Sequence, residues 1–256
     1  MTLNVDVVKN WVFPVLRQKY TEKDTILYLP SRLRISDPIT GIDSSRAVHA
    51  HHRVDFHSLV PAAGSVRAQT KILDIIDRGH GKGAMLVFGR EIYDDSTNIL
   101  IATIRHSTLC RADGGFSNNA DAGRAVATSA SVQQPDRTPD HVVEYIVTSQ
   151  AALIYRLGAD PNPLHIDPAV ARTAGFDRPI MHGRCTFGMV ARGAIEFLCG
   201  GIASHLRSVE IRFLALMFPC ERLRIEWTVA AASARYQVRI PDRNSVLIAS
   251  GSARLW

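Results

Sequence analysis

Cysteine is scarce in this chain and is not arranged for cross-linking or for zinc. The four cysteines, Cys110, Cys185, Cys199 and Cys220, form no C-x-x-C pair and no spacing typical of a metal finger. A disulfide-stabilised secreted scaffold and a zinc-finger protein are therefore both disfavoured. We expect reduced cysteines that pack as small apolar side chains.

Long apolar runs are also missing. No stretch approaches the roughly 18 consecutive apolar residues that a transmembrane helix needs. Residues 1–10 lack the basic-then-apolar pattern of an export signal. We therefore expect a cytoplasmic protein without a membrane partner.

Lysine is rare, and only five of the 30 basic residues are lysine, so arginine supplies most of the formal net charge of +6. The charges are scattered and form no basic run with interleaved aromatic residues, the pattern typical of nucleic-acid binding. We expect no nucleic-acid partner. Guanidinium groups bind phosphate oxygens two at a time, so the arginine surplus also suits a small ligand that carries phosphate.

The two halves of the chain resemble each other. The first half contains E-I-Y-D-D-S-T-N-I-L-I-A-T at residues 91–103, and the second contains V-R-I-P-D-R-N-S-V-L-I-A-S at residues 238–250. Each places an Asp/Asn-rich turn between two β-rich runs, which predicts a hairpin. Upstream, Phe56 and Phe213 each precede a proline turn and a further strand pattern. Two repeats of antiparallel strands are predicted, the alternative being two unrelated β-domains that share a short match by chance.

Composition places a linker between these repeats. Residues 116–138 are rich in Gly, Ala, Ser, Asn, Gln and Asp and show no hydrophobic periodicity. We expect an N-terminal repeat at 1–115 and a C-terminal repeat at 139–256. The fold class predicted is α+β.

Helix signals differ between the halves. In the second half, Asp167-Pro168 opens a short helix over 168–174 that Gly175 ends. Residues 185–198 are apolar nearly all round, which predicts a buried helix wrapped by the sheet, the hot-dog arrangement. In the first half, residues 6–20 and 21–29 could both be helical, but nothing matches the long buried helix. The first repeat is therefore expected to have a short or missing central helix.

Chemically active side chains are concentrated in the run Y-R-L-G-A-D-P-N-P-L-H-I-D-P at residues 155–168. Pro161 and Pro163 restrict the backbone, so Asp160, Asn162 and His165 are held on a stiff loop. A carboxylate and a neutral imidazole that face one water can move protons in both directions, as reversible water addition requires. Ordinary turn-forming Asp and Asn with a solvated His is the alternative.

A second segment, R-P-I-M-H-G at residues 178–183, leads directly into the predicted buried helix. The first N–H groups of a helix have no partner within it, and the helix dipole favours negative charge there. A glycine at this point lets a ligand approach the backbone. Gly183 could therefore form an oxyanion hole for a polarised carbonyl, or it could be a simple tight turn.

Together these segments resemble a known family. Residues 155–188 closely resemble the MaoC-like (R)-specific enoyl-CoA hydratases, and more narrowly the two-repeat hydratase 2 type. The segments Y-T-E-K-D-T-I-L-Y at 20–28, G-I-D at 41–43 and R-A-D-G-G-F at 111–116 are also similar to that family. The resemblance implies a double hot-dog fold and reversible hydration of trans-2-enoyl-CoA to (3R)-3-hydroxyacyl-CoA, with neither metal nor redox cofactor.

The resemblance also implies residue roles. Asp160 and His165 match the water-activating pair, Asn162 matches the residue that holds the site together, and Gly183 matches the glycine whose N–H polarises the thioester. The first repeat would hold the acyl chain. We add His182, Pro163 and Ile180 as candidate substrate-binding residues, and a homodimer as a possible assembly.

Two other functions stay open. One is a non-catalytic subunit that binds acyl-CoA, and the other is a hot-dog thioesterase, against which the D-x-N-P-x-H pattern argues. The chain departs from the family pattern at Ala159, usually glycine, and at Arg184, usually leucine. Arg184 could alter the acyl pocket, meet a polar substrate or point to solvent. The stretch between Tyr28 and Gly41 is several tens of residues shorter than in the family, which leaves the acyl pocket in question.

Two further patterns attract attention. His49, His51, His52 and His57 crowd one segment, but on a strand His52 does not share the face of the other three and no partnered carboxylate triad is evident, so a partly exposed strand is expected rather than a metal site. The glycine-rich run at 79–83 lacks the spacing of a phosphate loop, so a flexible hairpin turn is expected.

Overall fold

Two units make up the chain. The computed structural model describes residues 3–20, 37–117, 137–158 and 160–256. The first unit contains the described residues up to 117 except 52–56, and the second contains residues 52–56 and those from 137 onward. Most of the expected linker, residues 118–136, lies outside the described residues. Among the helices of the described residues, none is long and apolar enough to cross a membrane.

The first unit is built on an antiparallel sheet. Its strands are β1 (Leu16–Tyr20), β2 (Ala47–Phe56), β3 (Gly64–Asp77), β4 (Ala84–Asp94) and β5 (Leu100–Cys110), in the order β1-β3-β4-β5-β2. The last five residues of β2 are those that belong to the second unit. The glycine-rich run at 79–83 joins β3 to β4, as expected of a hairpin turn, and Gly79, Gly81 and Gly83 all have positive φ there.

The predicted hairpin at 91–103 is confirmed and has a local cause. The Asp94 carboxylate accepts hydrogen bonds from the backbone N–H groups of Ser96 and Thr97 at 2.9 and 2.8 Å. Asn98 then adopts a left-handed φ of 61°, which asparagine tolerates better than most residues. The turn thus brings β4 and β5 into register, with Ile92 opposite Ala102.

The start of the chain is only partly helical. Helix α1 (Val5–Lys9) is capped by the Asn4 side chain and buries Val8 against Leu86 and Phe88. The prediction of helix throughout 6–20 is wrong, because residues 16–20 form β1 with an alternating burial pattern. Pro14, which cannot donate a backbone hydrogen bond, precedes that strand. The second predicted helix, residues 21–29, lies outside the described residues. Within the described part of this unit no long central helix is present, as expected.

The second unit has its own antiparallel sheet. Its strands are β6 (His141–Ile146), β7 (Leu206–Phe213), β8 (Arg222–Ala230), β9 (Ser233–Ile240) and β10 (Val246–Leu255), in the order β7-β10-β9-β8-β6. The predicted hairpin at 238–250 joins β9 to β10 and is confirmed. Asn244 and Ser245 supply the left-handed conformations of its turn, with φ of 51° and 53°.

In the described part of this unit, three α-helices accompany the sheet. They are α2 (Ala151–Gly158), α3 (Pro168–Thr173) and α4 (Gly183–Gly193). The Asp167 carboxylate caps α3 by accepting from Ala169 N at 2.8 Å, and Gly175 follows with φ of 85°. The short helix predicted at this position is therefore confirmed.

Helix α4 lies against the core of the second unit. Val190 and Ala194 are fully buried with Trp227 and Tyr236 of the sheet. A Cβ atom at Gly193 would lie at an ordinary contact distance, 3.6 Å, from Trp227 Nε1, so the helix packs directly against the sheet at this point. The helix of 11 residues continues as a π-helical turn at Ala194–Leu198.

The prediction that this helix is buried nearly all round is wrong. One side is buried, but Gly188, Arg192, Glu196 and Phe197 are exposed. In the described residues the sheet covers a single side of the helix, and apolar residues on the other side are partly left to solvent. Apolar content alone did not distinguish a helix that is buried on all sides from one that is buried on a single side.

Candidate active site

The catalytic loop follows α2 and is stiffened by its own side chains. The Asp160 carboxylate accepts a hydrogen bond from Asn162 N at 3.1 Å. The Asn162 side chain in turn accepts from Leu164 N at 3.1 Å and caps the 3-10 turn Pro163–His165. Because Leu164 is buried, the turn is anchored in the protein, with Asp160 before the turn and His165 at its end.

His165 has a defined tautomer. Its Nδ1 lies 2.8 Å from the carbonyl oxygen of Ile180. A carbonyl can only accept, so Nδ1 carries the proton and Nε2 of the neutral ring keeps its lone pair. Burial lowers the pKa of His165 below its usual value, against the raising effects of the Ile180 carbonyl and Asp160. The ring is therefore a neutral base at neutral pH.

His182 joins the two predicted catalytic residues. Its ring stacks on that of His165 with centroids 3.7 Å apart and planes 28° apart. Its Nε2 donates to the backbone carbonyl of Asp160 at 3.2 Å. Tyr155 of α2 contacts the same imidazole, with ring centroids 4.6 Å apart.

The His182 imidazole is uncharged. Only 2% of the residue is exposed, and burial, followed by the neighbouring His165, lowers its pKa to about 3. Burial likewise raises the pKa of the Tyr155 hydroxyl well above its usual value. Both rings therefore act at neutral pH as neutral packing groups beside His165.

The amino end of α4 opens beside His182, which occupies the N-cap position without a side-chain capping bond. Its carbonyl accepts from Cys185 N at 3.0 Å and Thr186 N at 3.3 Å. Gly183 is the first residue of the helix, and its N–H donates to no atom of the described residues. A free N–H at the positive end of a helix dipole is suited to a developing oxyanion.

The structure brings most of the predicted site residues together. One side-chain ligand atom from each of Asp160, His165 and His182 lies within 4.8 Å of the others. Ile180 is buried and contributes through its carbonyl, whereas Pro163 is exposed at the start of the 3-10 turn. Substrate binding by His182, Pro163 and Ile180 stays a prediction.

These three side chains could also suggest a metal site. Their geometry does not suit one, because the in-plane lone pairs of two stacked imidazoles run side by side. Zinc needs such lone pairs to converge on one point about 2 Å from each nitrogen. The rings of His165 and His182 would have to turn before both could bind one ion.

Comparison with known proteins gives the family. Residues 130–244 match the model of the MaoC like domain. The 3-hydroxyacyl-thioester dehydratase Y of Mycobacterium tuberculosis is 34% identical over 75% of this chain and 66% of that protein. The probable enoyl-CoA hydratase 2 of Dictyostelium discoideum is 33% identical over 86% of this chain and 74% of that protein. The chain belongs to the MaoC-like hydratase family. The predicted resemblance is confirmed, including its hydratase 2 type.

Solved structures with a similar fold confirm the predicted fold. A MaoC-like dehydratase from Phytophthora capsici superimposes with a TM-score of 0.79 at 23% identity, covering 99% of each chain. A Mycobacterium tuberculosis protein described as having a double hotdog fold aligns with a TM-score of 0.57 at 15% identity, over 96% of this chain and 97% of that one. The double hot-dog prediction is therefore correct.

The departures from the MaoC-like pattern can now be located. Ala159 lies outside the described residues. The Nε atom of Arg184 is inaccessible to solvent, and burial lowers the pKa of its guanidinium to about 9. The alternative in which Arg184 points to solvent is therefore wrong.

The histidine-rich segment lies in and after β2, in a more buried setting than expected. His51 and His52 are 7% and 4% exposed, so the expectation of a partly exposed strand is wrong for them. His57 follows the strand and its Nε2 lies 2.7 Å from Thr103 Oγ1. Within the described residues this segment contributes to no group of three metal-ligating side chains.

Sequence reasoning missed two contributors to this MaoC-like site. The Ile180 carbonyl sets the tautomer of His165, and no side-chain pattern reports the direction of a backbone carbonyl. Tyr155 is the first residue of the motif at residues 155–168, and its spacing of five residues from Asp160 could have suggested a contact with the site.

Proposed function

We propose that this protein catalyses the reversible hydration of trans-2-enoyl-CoA to (3R)-3-hydroxyacyl-CoA. The observation that carries the proposal is the pairing of Asp160 with a neutral His165 whose Nε2 is free of a proton. The N–H of Gly183 directly follows His182, whose ring stacks on that of His165. The names of the relatives, a hydratase and a dehydratase of acyl thioesters, support the same chemistry.

In this proposal a water molecule lies between the Asp160 carboxylate and His165 Nε2. His165 takes a proton from the water while the resulting hydroxide adds to C3 of the enoyl group. Negative charge moves to the thioester oxygen, where the Gly183 N–H stabilises it. The proton on His165 then passes to C2, so that one water has been added in full. Asp160 orients the water and stabilises the imidazolium that forms in between.

Further parts of the proposal concern the surroundings of the site. The first repeat holds the acyl chain, and the second carries the catalytic groups. An acid–base pair with an oxyanion donor suffices for this reaction, which supports activity without a metal or redox cofactor. Four free cysteines support a reducing compartment such as the cytoplasm. A homodimer is the assembly proposed, which light scattering after gel filtration would test.

Purified protein with a short and a medium trans-2-enoyl-CoA provides the test. Loss of the conjugated thioester absorbance, with the (3R) alcohol as product, is expected. In the variants Asp160→Asn and His165→Ala the rate should fall by about 10²–10⁴-fold with unchanged circular dichroism, because each removes one proton-transfer partner.

The same experiment separates the other functions. Binding of the thioester without loss of absorbance would indicate an acyl-CoA-binding subunit. Release of free CoA thiol would indicate a thioesterase. Near wild-type turnover in both variants would contradict the assignment of Asp160 and His165.

A further inference from the structure

A cleft of about 450 Å³ lies beside β3 in the first unit, away from any residue given a role above. Strand β1 pairs with β3 only from Leu16, opposite Ala68, to Tyr20, opposite Gly64. Residues 11–15 form no strand, and Pro14 among them cannot donate to a ladder. Among the described residues no strand therefore pairs with the edge of β3 beyond Ala68 on this side, and the cleft occupies the gap.

Apolar side chains form one wall and the floor of this cleft. Trp11 lines it together with Val12 and Val15, which are 88% and 44% exposed. Leu73 is 41% exposed and covers Gly89, where a Cβ atom would lie 3.0 Å from Leu73 Cδ1. Exposed apolar groups that line one concave surface are unusual enough to indicate a ligand.

Cations flank this apolar floor. Lys71 and Arg105 lie on either side of Gly89 in the register of β3, β4 and β5, about 10 Å apart at their backbones. Within the described part of the chain neither forms an ion pair with a carboxylate. The acidic residue of the cleft, Glu91, accepts a hydrogen bond from the Tyr93 hydroxyl at 3.0 Å. Lys71 and Arg105 therefore outnumber the single carboxylate of Glu91, and the cleft carries a net positive charge.

We propose that this cleft binds a small amphipathic organic anion, whose apolar body lies against Trp11 and Leu73 and whose anionic group lies between Lys71 and Arg105. The combination of an apolar surface with two available cations matches the chemistry of such a ligand. A fatty carboxylate and an adenine nucleotide phosphate share this chemistry.

Tryptophan fluorescence of the full protein tests the proposal, because Trp11 is part of the cleft. Titrations with dodecanoate and, separately, with adenosine 3′,5′-bisphosphate are expected to give a saturable change for at least one of them, with one site by calorimetry. A response to dodecanoate identifies a fatty carboxylate as the ligand, and a response to the bisphosphate identifies a nucleotide. The Trp11→Phe variant should lose the fluorescence change and keep the heat of binding.

Charge variants give the decisive comparison. Replacing Lys71 and Arg105 together by Gln should weaken binding by about tenfold or more, because both charge-assisted contacts are lost. The matched control, Arg78→Gln with Lys82→Gln, removes two exposed cations of the same unit outside the cleft and should leave the affinity within about twofold. The proposal is overturned if neither probe binds, or if the Lys71/Arg105 variant binds as tightly as the wild type.

Discussion

His182 stacks on His165 at 3.7 Å between ring centroids and at the same time donates a hydrogen bond to the backbone carbonyl of Asp160. One uncharged ring thus holds both members of the proposed catalytic pair. It excludes water from one face of His165 and fixes the start of the loop that carries Asp160. We infer that His182 positions the pair rather than reacting with substrate.

Two substitutions at His182 separate stacking from hydrogen bonding. His182→Phe should keep the aromatic face on His165 and lose the bond to Asp160, which should lower kcat by about tenfold. His182→Ala should also admit water beside His165. Less burial means a smaller lowering of the pKa of His165, so the acid limb of the kcat/KM profile should move to higher pH in this variant alone. Wild-type kcat in His182→Ala would contradict the positioning role.

Gly183→Pro tests the oxyanion donor with little cost to the fold. Gly183 is the first residue of α4, a position where proline fits well, and His182 before it has the extended backbone that proline requires. The substitution removes the N–H, so the rate should fall by about 10²–10³-fold while the helix content stays unchanged. An undiminished rate in this variant would mean that the Gly183 N–H does not contact the thioester oxygen.

Stability should fall as the pH falls below about 6.5. Burial is the largest cause of a lowered pKa for His106, His165 and His182, and that of His182 is lowered to about 3. As the pH falls, these histidines are therefore protonated in the unfolded chain before they are protonated in the folded protein. Each then lowers the free energy of unfolding by about 1.4 kcal/mol per pH unit between its unfolded and folded pKa. Urea unfolding at pH 7.5, 6 and 5 measures the slope.

A substitution at His106 provides the comparison for this pH dependence. His106 stacks on Phe88 in the first unit with centroids 4.5 Å apart, so His106→Phe can keep an aromatic contact. It should flatten the slope by up to about 1.4 kcal/mol per pH unit, because one proton uptake is removed. A slope that does not change would show that His106 is not protonated more readily in the unfolded chain.

Gly251→Ala should be strongly destabilising. A Cβ atom there would overlap the Glu210 carbonyl oxygen and lie 2.5 Å from the Tyr236 hydroxyl, which are themselves hydrogen-bonded at 2.7 Å. Relief requires β7 or the buried Tyr236 to move, at a cost of about 3 kcal/mol or more. Gly188→Ala meets no atom within 4 Å on an exposed helix position and should stabilise by about 0.5–1 kcal/mol. Thermal unfolding measures both effects: the melting temperature should fall for Gly251→Ala and rise for Gly188→Ala.

Local features of the structure could be predicted well. The hairpin turn after Asp94, the cap of α3 by Asp167 and its end at Gly175 all depend on side chains within a few residues of the backbone groups that they bind. The failure at residues 6–20 has the opposite cause. Helical propensity there was overridden by pairing of residues 16–20 with β3, about 50 residues later in the chain.

The sequence by itself determined the family, the repeat of two antiparallel units and the loop on which Asp160, Asn162 and His165 are carried. Those conclusions follow from motif spacing and from alternating patterns that are read along the chain. Only the tertiary structure decided which partners complete the site. The Ile180 carbonyl lies 15 residues from His165, and the His182 ring lies 22 residues from the Asp160 carbonyl that it binds. Such contacts depend on how α4 and the preceding segment pack against the catalytic loop, and packing of distant segments leaves no periodic signal in the sequence.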